Sequence, residues 1–305
     1  MKKSFLGVVA VALLLSACAS TSNTSSTASA VPATTYPVTI QNNGTSVTIS
    51  TEPKAIISLS PTATEMLFAI KAGPQVIAVD DQSNYPAEAP KSDLSGFTPN
   101  AEAIIAKHPD LVVLSNDTDG IVKTLTGAKI AVLVEPAAMT IDDTYKQIDE
   151  LGTATAHNTE ATALVSDMKA KIAQSLAKVK DKTGLTFYHE LDNTFYSVTS
   201  STFIGSIYKS AGLTNIADVA PDASSGYPQL SAEFIVKANP SLVFLADTKC
   251  CSVTATELAK RPGMAGLEAI KSGNVIALDD DIASRWGPRV VDLVDAIVNA
   301  SLNHK

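Results

Sequence analysis

The sequence predicts an α/β fold of two similar lobes with mostly parallel sheets, joined by one long α-helix. Three observations predict it. The stretch NAEAIIAKHPDLVVLS at residues 100–115 is nearly rewritten as SAEFIVKANPSLVFLA at residues 231–246, an offset of 131. Each copy reads as a short helix with a Glu in its first turn (Glu102, Glu233), a proline stop (Pro109, Pro240) and an apolar strand. Self-similarity at that distance is too long for a solenoid and points to two copies of a domain. Second, apolar runs alternate with helical patterns in both halves, as mostly parallel α/β sheets require. Third, between the halves Leu164, Val165, Met168, Ile172, Leu176 and Val179 recur at steps of one, three or four, which is the helical period. The 305 residues and 45% hydrophobic content allow two packed cores.

The elements follow in order. Residues 1–17 read as an export signal: Lys2 and Lys3 form a basic start, and the apolar run 5–15 is too short to span a bilayer as a helix. The run ends in LSAC, so Cys18 is expected to be the lipid-modified first residue of a bacterial lipoprotein. Residues 18–35 are mostly Ser, Thr and Ala. They cannot bury enough surface to offset ordering entropy and are expected to form a tether. The first lobe, 36–157, opens with YPVTIQNNGTSVTIS, which alternates around Asn-Asn-Gly as a β-hairpin does. AIISLS is a buried strand. SPTATEMLFAI is a helix, with Pro61 suited to its first position and Thr62 to Glu65 at capping-box spacing. QVIAVD, the first copy of the repeated phrase and KIAVLVE supply further strands. The connecting helix is assigned to 158–183. Its periodic part, 159–182, spans roughly 36 Å, and Gly184 sits where a C-cap belongs. The second lobe, 184–305, begins with the strand LTFYHEL. A helix near 202–211, the second copy of the phrase, the strand NVIALD and a last helix at 288–302 complete it.

Composition narrows the function. Without the two signal lysines, 21 basic residues face 31 acidic ones, and such a balance is unsuited to nucleic acid. No other run reaches eighteen apolar residues, so the mature chain is expected to be anchored without spanning the membrane. Gly-x-Ser-x-Gly, His-Glu-x-x-His and phosphate-binding glycine loops are missing, and no catalytic residue is assigned. An enzyme or a structural lipoprotein remain the rival classes. Four His do not make a zinc-capturing set. His189 and Glu190 read as metal contacts or as a strand-end hydrogen bond, His108 as a surface helix end, and residues 279–281 as an acidic loop before a helix. Neither a metal site nor a cofactor is predicted. Cys250 and Cys251 are too few for a zinc site. A vicinal disulfide and two free thiols are both open outside the cytoplasm.

The motifs IISLSPTATEML, SNYPAEA, NAEAIIAKHPDLVVL, YPQLSAEFIVKANPSLVFL and SRWGPRVVDLVDAIV run in order from about residue 52 to the C-terminus. As a set they resemble the helical-backbone (class III, iron-chelate and cobalamin type) substrate-binding lipoproteins of ABC importers. The resemblance implies that Glu102 and Glu233, one per lobe, meet Arg residues of the permease. A carboxylate at an exposed helix start is held by the helix dipole and available to a guanidinium; plain capping is the other reading. It also implies a cleft between the lobes at the C-terminal ends of strands. The positions that match are Ser60, Thr62, Tyr85, Phe97, Tyr188, Tyr196, Tyr227, Arg285, Trp286 and Arg289. A flat ligand needs aromatic faces and an anionic one needs Arg. Two of only three Arg flank the single Trp. Cobalamin-binding members use more Trp where this chain has Phe97 and Tyr227. The resemblance thus implies a monomeric, extracytoplasmic, lipid-anchored receptor with little lobe motion. It is expected to capture a metal chelate, a ferric siderophore first and cobalamin or haem as alternatives, and to deliver it to a permease and its ATPase.

Overall fold

A computed structural model describes residues 34–304. Cys18 and the expected signal lie outside them. The chain enters through a hairpin, β1 (Val38–Asn42) and β2 (Thr45–Ile49), paired antiparallel with Asn42 opposite Thr45. Asn43 and Gly44 both take positive φ, 46° and 76°. A two-residue turn of that hand needs this, and Asn-Gly adopts it with the least strain.

The first lobe then runs β3 (Ile56–Leu59), α1 (Pro61–Ala69), β4 (Val76–Asp80), β5 (Lys91–Leu94), α2 (Ala101–Ile105), β6 (Leu111–Leu114), α3 (Ile121–Gly127) and β7 (Ala131–Val134). Its strands form a parallel sheet of order β5-β4-β3-β6-β7. The start of α1 corrects the sequence reading. Its cap is Ser60, whose hydroxyl accepts from the Ala63 N–H at 3.3 Å. Thr62 and Glu65 lie inside the helix, both buried. Pro61 occupies the first turn, where its missing N–H costs nothing.

Two antiparallel helices follow, α4 (Ile141–Thr155) and α5 (Asn158–Ala177). A full capping box of Thr140 and Asp143 opens α4. The turn between them is tight because position 152 is glycine: a Cβ there would stand 2.5 Å from that of Ala161. The twenty residues of α5 span about 30 Å, shorter than the sequence implied. Beyond buried Val179 the chain reads Lys-Asp-Lys, which offers no apolar stripe to bury, and it continues as turns to Gly184 at φ 82°.

The second lobe runs β8 (Thr186–Glu190), α6 (Phe203–Ser210), β9 (Thr214–Asn215), α7 (Ala232–Ala238), β10 (Leu242–Leu245), α8 (Ala255–Lys260), α9 (Glu268–Lys271), β11 (Val275–Ala277), α10 (Asp280–Ser284) and α11 (Val290–Asn303). Its sheet, also parallel, has order β11-β10-β8-β9. The two sheets repeat each other in register. Ile56 pairs with Leu111, and Phe187 with Leu242, so both partners move by the 131 residues that separate the repeated phrases.

Alternation along the strands divides the core. Ile56, Leu111 and Val113 of the first lobe, and Phe187, Leu242 and Phe244 of the second, belong to one apolar cluster that also takes in α1, α4, α5, α6 and α11. The opposite face of each sheet has its own cluster. Ile57, Val112 and Leu114 pack with Ile104 of α2, and Tyr188, Val243 and Leu245 pack with Ile235 of α7. Each lobe thus has one face in the common core and one closed by its own short helices, α2 and α3 in the first and α7, α8 and α9 in the second. That arrangement sets where Glu102 and Glu233 emerge.

Candidate functional site

The loops after the strands carry the exposed aromatic residues. Tyr85 follows β4, Phe97 follows β5, Tyr196 follows β8 and Tyr227 precedes α7; they are the exposed aromatics of the described residues. Phe97, at 74% exposure, is the most open. Its loop is pinned by Gly96, where a Cβ would meet the Leu59 carbonyl oxygen at 2.7 Å, so only glycine lets the loop cross the end of β3. The Tyr196 and Tyr227 segments are brought together by backbone pairing. Ser197 donates to the Pro228 carbonyl at 3.0 Å, Thr199 to that of Gly226 at 2.9 Å, and Leu230 to that of Phe195 at 3.0 Å.

A duplicated detail escaped the sequence reading. Ser95-Gly96-Phe97 and Ser225-Gly226-Tyr227 are the same tripeptide pattern, each ahead of its Glu-bearing helix. In both, the serine hydroxyl accepts from the aromatic residue's N–H, at 3.2 and 3.1 Å. The signal was present: it extends the repeated phrase upstream, shifted by one residue.

Other candidates are placed differently. Tyr188 lies in the outer core of the second lobe with no exposure, donating to Glu190 Oε2 at 3.0 Å, so it cannot line an open cleft. Ser60 and Thr62 are buried at the start of α1, where they serve the helix and its packing. His189 is fully buried with Nδ1 2.8 Å from the Tyr208 hydroxyl, and burial pushes its pKa down to about 3. The neutral ring is inaccessible, which removes the metal-contact reading. Asp279 caps α10, Asp280 accepts loop N–H groups and Asp281 pairs with Arg285. Among the described residues no metal-ligand cluster occurs.

Arg285, Trp286 and Arg289 form a clasp between the lobes. Arg289 grips Glu65 through two bonds, Nε to Oε2 at 2.8 Å and Nη2 to Oε1 at 2.6 Å. Arg285 reaches Glu65 Oε1 and Asn84 Oδ1, each at 2.9 Å, the Gln82 carbonyl at 3.1 Å and Asp281 Oδ1 at 2.8 Å. Asn84 donates in turn to Asp281 at 3.1 Å. Trp286 donates Nε1–H to Gln147 Oε1 at 2.9 Å, and its carbonyl accepts from Thr144 at 2.8 Å. The Arg289 guanidinium lies 4.2 Å from the Tyr85 ring centroid, a cation–π contact. Both guanidinia are therefore committed to protein carboxylates. The third, Arg261, is committed too, at 2.8 Å from Glu190 Oε1.

That second ion pair has an added partner. Burial drives the Glu190 pKa up to about 7 against the opposing pull of Arg261, and Asp247 is also raised, mainly by burial. Both residues are fully buried, at the ends of adjacent strands β8 and β10. The Asp247 carboxyl oxygens, both buried, take no side-chain hydrogen bond among the described residues, and the Asp247 charge adds to what burial does to Glu190. Two carboxyls buried around one guanidinium disfavour each other's ionised form.

Glu102 and Glu233 occupy the same place in their helices, exposed in the first turn of α2 and of α7. The caps are other residues. Asn100 accepts from Ala103 N–H at 3.0 Å and Ser231 from Phe234 N–H at 3.1 Å. Neither Glu side chain takes a hydrogen bond or an ion pair among the described residues, so the capping explanation does not apply to them. Proline follows each helix, and the residues before it, His108 and Asn239, both take positive φ, 52° and 46°.

Comparison with known proteins agrees with this architecture. The profile of the family described as "Periplasmic binding protein" matches residues 56–282. The chain is 32% identical over 277 residues to the uncharacterized ABC transporter substrate-binding lipoprotein YvrC of Bacillus subtilis, covering 87% of this chain and 85% of that one. It is 29% identical over 283 residues to a cobalamin-binding protein of Halobacterium salinarum, covering 89% and 76%. The fold matches a possible iron-binding periplasmic solute-binding protein of Staphylococcus epidermidis with a TM-score of 0.69 at 24% identity, over 82% of this chain and 99% of that one. Two parallel sheets in register, their joining helix and the profile match lead to one conclusion: the chain belongs to the periplasmic binding protein family.

Proposed function

We propose that the protein is an extracytoplasmic receptor that captures a corrinoid between its lobes and delivers it to an ABC importer. The observation that carries the ligand class is the commitment of the arginines. From the sequence, a ferric siderophore came first, and Arg285 and Arg289 were cleft residues suited to an anionic ligand. In the structure Glu65 and Asp281 take both guanidinia, and Glu190 takes the third. Exposed aromatic rings remain at the strand ends, without a free guanidinium beside them. Such a surface suits a large, flat, weakly charged chelate. The ligand named for the Halobacterium relative is of that kind.

The experiment is isothermal titration of the full chain with cyanocobalamin, haemin and ferrioxamine B. Saturable binding of cyanocobalamin, tightest of the three, is the expected result. Preference for ferrioxamine B would return the reading to a ferric siderophore, and preference for haemin would move it to a haem receptor. The two exposed, uncapped carboxylates Glu102 and Glu233 are the proposed contacts to the permease.

A further inference from the structure

The loop after β10 carries Cys250 and Cys251 joined as a vicinal disulfide, both exposed. Its setting is unusually constrained. The backbone N–H groups of Thr248, Lys249 and Cys250 all donate to the Asp280 carboxylate, at 2.8 to 3.0 Å. The Thr248 hydroxyl adds a bond at 2.9 Å. Successive amides around one anion make a nest that fixes the backbone. Lys249 Nζ is drawn down to Asp279 at 2.7 Å and Asp281 at 3.0 Å. At the loop's root, the N–H groups of Cys251 and Val253 donate to the Asp247 carbonyl.

Three features set the loop's role. It leaves the C-terminal end of β10 beside the chain leaving β8, where Ala246 donates to the Glu190 carbonyl at 2.9 Å; the β8 chain carries Tyr196. Through Asp281 it is one residue contact from Asn84 of the first lobe. The Asp280 nest already holds residues 248–250, so rigidity alone does not call for a cross-link. What the disulfide adds is an exposed, apolar, polarizable surface without a hydrogen-bond donor. Polarizable thioether sulfur packs favourably on aromatic rings, and an exposed disulfide offers a similarly polarizable surface to a conjugated one.

We infer that the Cys250–Cys251 disulfide is a contact surface of the ligand cleft, packing on the conjugated face of a metal-bearing tetrapyrrole macrocycle. This rests on the ligand reading above. It adds a specificity element in the second lobe to the aromatic rings, and the chemistry is common to corrin and porphyrin.

The test titrates the full chain and its C250S/C251S variant with cyanocobalamin, haemin and ferrioxamine B. The variant should bind the preferred tetrapyrrole roughly three- to tenfold more weakly, the range expected of a sulfur–ring contact. Any affinity for ferrioxamine B, which has no conjugated macrocycle, should be unchanged. If the parent binds a tetrapyrrole and the variant binds it equally well, the disulfide contact is wrong and the ligand reading stands. If the parent binds neither tetrapyrrole, both fall together. Equal weakening for ferrioxamine B would mean that the cross-link only shapes the loop, and would also overturn the contact. Should circular dichroism show that the cysteine variant is misfolded, Asp280→Asn replaces it. That change releases the nest while keeping the disulfide, and undiminished tetrapyrrole binding would then overturn the proposal.

Discussion

Glu65 and Glu190 are both buried carboxylates, one in each lobe, and they are answered in opposite ways. Glu65 receives two guanidinia, Arg285 and Arg289, from across the lobe boundary. Glu190 receives one, Arg261, from its own lobe, and must share it with the second carboxyl of Asp247. The charge count decides what each can do. With two cations against one anion, and Asp281 balancing the excess, the Glu65 cluster is a fixed clasp. With two acids against one cation, the Glu190 cluster is short of positive charge, and burial holds the Glu190 pKa up to about 7. The contrast shows that similar folds joined by duplication do not share their electrostatics, because the strands repeat while the loops that supply the partners do not.

The largest effect should come from breaking the clasp. Glu65→Gln leaves the half-buried Arg285 and Arg289 against a buried neutral amide. The loss of one partner from a buried ion pair destabilises by about 3–5 kcal/mol. Urea denaturation of parent and variant measures this directly. A loss under about 1 kcal/mol, the range of exposed pairs, would mean that the cluster does not hold the lobes together.

The second test exploits the proton. The Glu190 pKa is raised to about 7 from 4.5 by burial. The unfolded chain therefore releases this proton near pH 4.5 and the folded chain near pH 7. Between those values the folded state binds more protons, so this group's contribution falls as pH rises from about 4.5 to about 7. It is level below and above that window. The full drop for such a shift is at most about 3 kcal/mol, and Asp247, shifted the same way, adds to the slope. Glu190→Gln should flatten the dependence in a series of urea melts across that window. A slope equal to the parent's would show that Glu190 is not the proton's site.

The same comparison explains what the sequence could and could not disclose. Leu111 to Leu114 and Leu242 to Leu245 are continuous apolar runs after a proline, and a buried parallel strand is the direct reading of such a run. The hairpin at Asn43-Gly44 and the repeat were legible for similarly local reasons. The clasp was not. Glu65 and Arg289 are 224 residues apart, and no local pattern tells an Arg that binds ligand from one that binds a distant Glu. Tyr188 misled for a related reason: strand alternation assigns its face only after the sheet's two covering layers are known. The end of α5 is over-extended in the sequence because Val179 keeps the helical period and is buried, although the helix itself stops at Ala177. The Ser-Gly-aromatic pattern was legible and was passed over, since a shift of one residue hides it from a fixed-offset alignment.

The smallest effect per contact concerns the pair in which the lobes do agree. Glu102 and Glu233 stand in equivalent first turns, exposed, with Asn100 and Ser231 doing the capping. Their replacement should therefore leave the fold intact, since surface changes away from caps and cores are nearly neutral. Each is proposed to meet a permease cation, worth about 1 kcal/mol while exposed and more if docking removes water. The two act as anchors of one bivalent engagement. Losing one should weaken docking modestly, and losing both should remove the gain that comes from simultaneous contact. The measurement pairs cyanocobalamin titration with uptake into permease-bearing vesicles for Glu102→Ala, Glu233→Ala and the double variant. Ligand affinity should hold in all three while uptake falls most in the double. An asymmetric outcome, with one Glu carrying the whole loss, would show that the lobes have diverged at their docking faces as they did in their buried charges. Loss of ligand affinity with uptake capacity preserved would assign both residues to the cleft and end the docking reading.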